Sequence, residues 1–416
     1  MKLWLSIILV YLVVFCSQAQ SIVSKITFEG LERTRKEYLL QFLTTRIGQK
    51  LDSVSLETDR NRLVNLEIIA AASYRVELAK NGLEVVFTCE EFHTLVPVIN
   101  FGGIRDNIWF RIGASDINVG GKGHKVSGFY QYNDRHTFRF DYQVPVITNS
   151  RWGYRIALLK WSTIEPLYFE EGTTNYDYDN NLGELAVHYN FTFHHSVEIG
   201  GGFFNEVYFK NSLNPEDAPG PDQAEKNKIL GKLVLRSNFL RHHYYYLDGW
   251  HNQFNLETVE TIGEQVPFYI AFNDFRFYHR LGKLGNLATR LRIGLSTNND
   301  SPFAPFVLDS YFNIRGVGNR VDRGTGTMTL NLEYRHTILD AGNFAVQGVA
   351  FTDAGVWRNP GGDLKELLST ANLQVFAGPG FRIIHKKIAN AILRVDYGVG
   401  LTGNNGGWVI GLNQYF

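Results

Sequence analysis

From about residue 93 onward, apolar and polar residues alternate with a period of two nearly everywhere. In Gly326–His336, Met328, Leu330, Leu332 and Tyr334 fall on one face, and Thr327, Thr329, Asn331, Glu333 and Arg335 on the other. In Ala389–Val399, Ala389, Ala391, Leu393, Val395 and Tyr397 alternate with Asn390, Arg394 and Asp396. Successive side chains of a strand point to opposite sides, so this period builds two-faced sheet and no helix. A barrel wall with lipid outside and water inside carries an apolar face opposite a charged one. A soluble antiparallel sandwich carries the same alternation with the faces exchanged, so the strands alone leave both open.

The chain start and the composition favour the barrel. Lys2 precedes an apolar run from Leu3 to Phe15, followed by Ser17-Gln18-Ala19. Thirteen helical residues span about 20 Å, short of the roughly 30 Å bilayer core. A basic start, a short apolar stretch and a small residue describe a secretory signal peptide, residues 1–19. Phe15 is too bulky for the position before a lipidated cysteine, so Cys16 is read as unmodified. Cleavage leaves Cys89 alone, which excludes an internal disulfide. Aromatic residues and glycine abound, with 30 Phe, 21 Tyr, 7 Trp and 40 Gly against 11 Pro, as interfacial girdles and barrel strands require. Basic and acidic residues balance at 41 each, which gives nucleic acid no electrostatic footprint.

Sixteen strands are expected, beginning near residues 95, 107, 122, 135, 151, 181, 196, 227, 249, 267, 285, 326, 342, 371, 389 and 406. An even count puts both barrel ends on one side of the membrane. Links should then alternate between short periplasmic turns and longer outer loops. Short links fall at Val119-Gly120-Gly121, Leu281-Gly282-Lys283, Asp340-Ala341-Gly342 and His385-Lys386-Lys387. Long links are expected at about 164–180, 211–226, 298–325 and 356–370. Trp152, Trp161, Trp250 and Tyr244-Tyr245-Tyr246 are assigned to the girdles.

Residues 20–92 follow another pattern. Ile22–Phe28 alternates as a strand. Thr34 is placed to cap a helix with Tyr38, Leu39, Phe42 and Leu43 on one side. A second helix is expected from Val54 to about Leu66. Two strands close the unit, near Ala72–Leu78 and Leu83–Thr88, joined at Asn81-Gly82. The order strand, helix, helix, strand, strand resembles a POTRA domain, present in one copy.

The segment Phe312–Arg320, FNIRGVGNR, sets an arginine beside a glycine in a long polar loop. Downstream lie Glu333 in NLEYR and Asp353 in FTDAG, which ends at Gly355. A guanidinium serves two carboxylates at once with planar geometry. Gly316 frees the backbone for close approach or positive φ. With Gly378-Pro379-Gly380-Phe381-Arg382 and Leu393–Gly398, these motifs resemble the outer-membrane assembly-factor superfamily that includes BamA, TamA and the two-partner-secretion transporters. The resemblance implies that the sixth outer loop folds into the lumen through Ile314-Arg315-Gly316-Val317 and is latched by Glu333 and Asp353. Val317 stands where the family carries an aromatic residue, which leaves the packing of the loop open. A wide lumen is wet, so a weaker ion pair is expected than in a dry core.

The barrel seam is poor in pairing residues. The first strand contains Pro97 and ends at Gly102-Gly103; the last is glycine-rich, with Gly407 and Gly411. Either this is ordinary barrel glycine, or the seam opens and a client strand pairs with the exposed edge. Trp408 and the terminal Phe416 fit a C-terminal assembly signal, although Gln414 interrupts the outward apolar series.

No G-x-S-x-G, H-E-x-x-H, C-x-x-C or Walker A pattern occurs, and the paired histidines 194–195 and 242–243 lack ligand spacing, so no catalytic residue, metal or cofactor is assigned. The expected protein is an all-β membrane protein: a 16-stranded antiparallel transmembrane β-barrel, residues 93–416, preceded by one small α+β POTRA domain in the periplasm. The resemblance implies that it inserts or translocates polypeptides at the bacterial outer membrane, and no enzymatic activity is expected. Its partners are outer-membrane lipid and a client polypeptide or accessory periplasmic protein. A scaffold subunit of a larger complex and a passive pore are the alternatives.

Overall fold

The structure, a computed structural model, describes residues 22–104, 107–169, 171–211, 219–243, 245–264, 266–301, 304–310, 312–318, 322–389, 391–403 and 405–416. The expected signal peptide, residues 212–218 of the expected 211–226 loop, Tyr244, Arg320 and Asn390 lie outside them.

Sixteen antiparallel strands close into a barrel. All but the sixth and eighth begin within three residues of the expected positions. The sixth begins at Gly172, because the fifth strand (Trp152–Phe169) and the sixth (Gly172–Asn190) form one long hairpin paired from Trp152↔Tyr189 to Phe169↔Gly172. The long link expected at 164–180 is therefore corrected to a tight turn. Asp177 and Asp179 read as loop, yet they occupy the outer face of a strand whose inner face carries the buried Tyr176 and Tyr178. The eighth strand begins at Gln223. Trp161 packs beside the buried Leu167, Tyr176, Tyr178 and Tyr208 on the inner face, so its girdle assignment is also corrected.

The faces decide between barrel and sandwich. Ile108, Ile112, Phe138, Phe140, Leu185, Leu332 and Leu393 are exposed on the outside. Glu198, Asp274, Arg290, Glu333, Arg335, Asp353, Arg382 and Asp396 are buried inside. An inside-out distribution over a whole wall requires lipid as the outer solvent.

The N-terminal unit is a three-stranded sheet with two helices. Val23–Glu29 runs parallel to the central strand Gly82–Glu91, which runs antiparallel to Ile69–Ala79. The helices are Lys36–Leu40 and Ser53–Val64. Asp52 caps the second through the amides of Val54 and Ser55. The expected cap at Thr34 is corrected. The first helix has Arg35 at its N-cap with no side-chain cap bond, and the Thr34 hydroxyl instead accepts from Asn118 of the barrel at 2.9 Å. Barrel residues Ile117, Val146 and Ala389 complete the apolar core built on Leu39, Leu56, Leu63 and Phe87, so the unit is seated on the barrel's near rim. Arg33–Asp116 at 3.1 Å and Lys125–Glu67 at 2.7 Å add ion pairs across that junction.

Cys89 is buried in this core, which pushes its thiol up to about 12. The thiolate is the reactive form. The folded protein is therefore expected to resist iodoacetamide at pH 8 and to alkylate fully in denaturant, as read by intact mass.

Candidate functional site

The loop between the eleventh strand (Gly285–Ser296) and the twelfth (Gly326–Ala341) turns inward. Within it Phe306–Leu308 pairs antiparallel with Asp322–Gly324. The wall holds the loop by its backbone: Arg290 donates to the Phe312 carbonyl at 2.7 Å and Asn331 to the Asn313 carbonyl at 2.8 Å. Arg323 reaches across the lumen to Glu165 at 2.8 Å.

At its deepest point Arg315 is 0 % exposed, as is Asp353, while Glu333 is 1 % exposed. Asp353, on the thirteenth strand (Phe344–Arg358), takes the guanidinium side-on: Nε donates to one carboxylate oxygen at 2.8 Å and Nη2 to the other at 2.9 Å. The Arg315 backbone amide donates to the same carboxylate at 2.9 Å. Nη1 donates to Glu333. One planar cation thus spends its donors on two strands, a geometry that lysine's point charge cannot reproduce.

The network extends beyond the three expected residues. Arg382 donates to Asp396 at 2.6 Å and to Glu333 at 3.2 Å, Arg335 donates to Glu333, and Arg315 lies 3.6 Å from Asp396. Three arginines and three carboxylates, on the loop and on strands twelve to fifteen, balance inside one dry cluster. Arg382 and Asp396 lay within the quoted motifs, but their role there was missed. Inward alternation on both strands was the available signal, while the Gly380↔Asp396 register that brings them together belongs to the tertiary structure. The wet lumen expected at this depth is corrected, because packing removes water from all six groups.

Val317 is 1 % exposed and packs with Leu308, Ile314, Trp357 and Phe376, so the loop is packed without the family's aromatic at that position. Rings from elsewhere cover the guanidinium: Phe351 at 3.7 Å and Tyr415 at 4.6 Å from their centroids. Tyr415 arrives because the last strand ends at Leu412 and Asn413, at φ 74°, turns the chain inward. The Tyr415 hydroxyl donates to the Ser310 carbonyl at 3.0 Å, Gln414 accepts from Arg382 at 3.2 Å, and Phe416 packs on Tyr278. The outward apolar series expected to run to Phe416 is thus corrected: Trp408 faces outward, 56 % exposed, and Phe416 is buried inside.

Two glycines make the fit possible. Gly316 has φ 90°, and a Cβ there would lie 2.6 Å from the Gly398 carbonyl oxygen. A Cβ on Gly355 would meet Ile314 at 2.7 Å. Gly316→Ala is expected to cost about 1–3 kcal/mol through strained φ and displaced backbone, read as an earlier loss of the fast-migrating folded band on heating.

At the seam, among the described residues, the first strand (Leu95–Ile104) and the last (Gly406–Leu412) pair at four positions, Asn100↔Gly411, Phe101↔Ile410, Gly102↔Val409 and Gly103↔Trp408. The first strand pairs with the second at ten positions, and the fifth with the sixth at eighteen. Gly102, Gly103 and Gly411 lie in the seam. Gly407 pairs with Gly398 of the fifteenth strand instead, and Pro97 pairs with Ala114 of the second.

Residues 118–407 match the family profile of the Omp85 superfamily domain. The chain belongs to the Omp85 superfamily. Among solved structures, a BamA from Haemophilus ducreyi lacking POTRA domains 1–3 matches at TM-score 0.54 and 13% identity, covering 94% of this chain and 84% of that one. CdiB from Acinetobacter baumannii matches at 0.59 and 12%, covering 95% and 74%. CdiB from Escherichia coli matches at 0.62 and 11%, covering 95% and 76%. A search of curated protein sequences finds no match. Omp85 membership places the barrel in an outer membrane and assigns it, in general terms, to polypeptide insertion or translocation there.

Proposed function

We propose that this Omp85 barrel handles client polypeptides at its seam while the sixth loop stays latched in the lumen, with residues 22–91 acting as a single periplasmic POTRA domain. The observation that carries the reading is the contrast between a four-pair seam and a dry, six-group clamp beside it. At about 1 kcal/mol per backbone hydrogen bond, such a seam is held by a few kcal/mol, which an incoming strand offsets by pairing in its turn. The clamp keeps strands twelve to fifteen in register while the edge is open. The activity is not enzymatic: client folding and burial in lipid supply the energy. The sheet order of the N-terminal unit supports the POTRA reading, and its outer strand Ile69–Ala79 offers an edge to a client or accessory protein.

Depleting the protein in its native host and surveying outer-membrane proteins tests this reading. The expected result is loss of a defined set of barrel or secreted clients. An unchanged survey with an altered assembly of co-purifying outer-membrane proteins would favour the scaffold role instead. Against the passive pore stand the sixth loop and Tyr415-Phe416, both packed inside the lumen.

A further inference from the structure

Where the N-terminal unit meets the near rim there is a cavity of about 620 Å³ outside the latch, within the range of small-molecule sites. Its charged lining is Arg46, Arg62, Arg151 and Lys125 against Glu67 alone, four cations against one carboxylate. Lys125 and Glu67 satisfy each other at 2.7 Å, and the lysine holds the Glu67 carboxyl below the usual range. Among the described residues the three guanidiniums have no carboxylate partner. Arg46 donates to the Leu43 and Thr45 carbonyls, Arg62 to the Phe42 carbonyl at 3.1 Å, and Arg151 to the Phe191 carbonyl at 3.2 Å. Each does so through Nη1, leaving Nε–H and Nη2–H groups for a ligand.

A second feature points the same way. Gln41 lines the same cavity, and both its Oε1 and its Nε2 are sealed from solvent without a hydrogen-bond partner. Buried amides are rarely left unpaired, because the lost water is not replaced. The remaining wall is apolar, including Phe42 and Phe193, whose rings lie 6.3 Å apart. At the outer lip stands Phe191, 51 % exposed, in a ring series with Tyr189 at 5.2 Å and Trp152 a further 4.8 Å along. Outward aromatics in series mark the depth of the membrane interface. The cavity therefore opens at headgroup level, with Arg46 and Arg151 exposed and Arg62 half-buried in its lining and apolar surface leading to the acyl region.

We propose that this cavity binds the phosphate headgroup of an anionic phospholipid from the periplasmic leaflet, held by Arg46, Arg62 and Arg151 and locking the N-terminal unit to the rim. The assignment of leaflet rests on the periplasmic placement of that unit. A phosphate supplies acceptors for the free guanidinium donors, and a glycerol headgroup supplies both donor and acceptor for Gln41. The acyl chains leave over Phe191 into lipid.

The test is native mass spectrometry of the full-length protein in detergent, titrated with phosphatidylglycerol or phosphatidylcholine. One phosphatidylglycerol per barrel is expected, with phosphatidylcholine weaker and inorganic phosphate failing to compete. Arg46→Gln with Arg151→Gln is expected to weaken retention about tenfold or more. Arg75→Gln, on the exposed sheet face beside Glu29 and Glu77, leaves it unchanged. Equal retention by wild type and double variant, equal binding of the two lipids, or displacement by free phosphate overturns the proposal. A photo-crosslinker at Phe193 is expected to capture lipid in cells; capture of polypeptide instead overturns it in favour of a client groove. Folding of each variant is checked by heat-modifiable migration. If the double variant fails, Arg151→Gln alone carries the test, since among the described residues its side chain donates only to the Phe191 carbonyl. Maleimide labelling of Thr58→Cys in intact cells tests the placement separately: labelling by an impermeant reagent overturns the periplasmic assignment and leaves the lipid measurement standing.

Discussion

Arg315→Ala is expected to destabilise the folded barrel by about 3–5 kcal/mol, the range for breaking a fully buried ion pair. The cost falls mainly on Asp353. Glu333 keeps Arg335 and Arg382, whereas among the described residues the hydrogen bonds to Asp353 come from Arg315 alone, two from the guanidinium and one from the backbone amide. Removal of the side chain leaves that carboxylate in a dry site with one amide. Arg315→Lys retains the charge and loses the fork, so most of the loss should remain. The readouts are the temperature at which the fast-migrating folded band disappears and trypsin cleavage within the sixth loop, both compared with wild type. Exchanging the charges, Arg315→Asp with Asp353→Arg, should recover part of the loss of either single change. If the double variant shows only the sum of the two singles, the pairing carries no coupling energy and the latch is wrong.

Locking the seam should abolish client handling. Phe101 and Ile410 face each other across it, and antiparallel partners lie within the Cα range a disulfide tolerates. Phe101→Cys with Ile410→Cys is therefore expected to cross-link under oxidation. The buried Cys89 does not compete for the bridge. The locked protein should lose activity in a client-assembly assay and regain it on reduction. A control pair at Leu330 and Ala354, inside the long twelfth–thirteenth interface, should cross-link without effect. Undiminished activity in the locked form would sink the opening seam and leave the four-pair junction as a closure weakness only.

The two experiments separate roles that adjoin in space. The Arg315 series reads the stability and position of the loop. The seam lock reads movement of an edge in a barrel that stays folded. A barrel that tolerates Arg315→Ala at its working temperature yet stops when locked would place function at the seam and structure at the latch.

Much of this was legible in the sequence for a local reason. The two-residue period is a property of each strand by itself, so the sixteen strands and their faces follow from the residues, as in Gly326–His336. Arg315, Glu333 and Asp353 were legible because the loop motif and two inward strand positions mark them independently. The reading failed where an outcome depends on what lies across the lumen. Asp177 and Asp179 look like loop because polarity is a local signal, while the long hairpin is held by Leu167, Tyr176 and Tyr208 meeting from different strands. Thr34 looks like a cap because hydroxyls cap helices, while Asn118, 84 residues away, claims it. The direction of Phe416 was invisible, since a turn at Asn413 reverses the face that strict alternation would assign.

The sequence by itself determined a two-faced antiparallel sheet, its strand count, and the residue types of a loop latch, because alternation and short motifs act within a few residues. Only the tertiary structure decided that the latch is dry, that Arg382 and Asp396 belong to it, and that Tyr415 covers its arginine. Burial and charge pairing among strands twelve to sixteen depend on register and on the packed loop, and neither is written in any one strand.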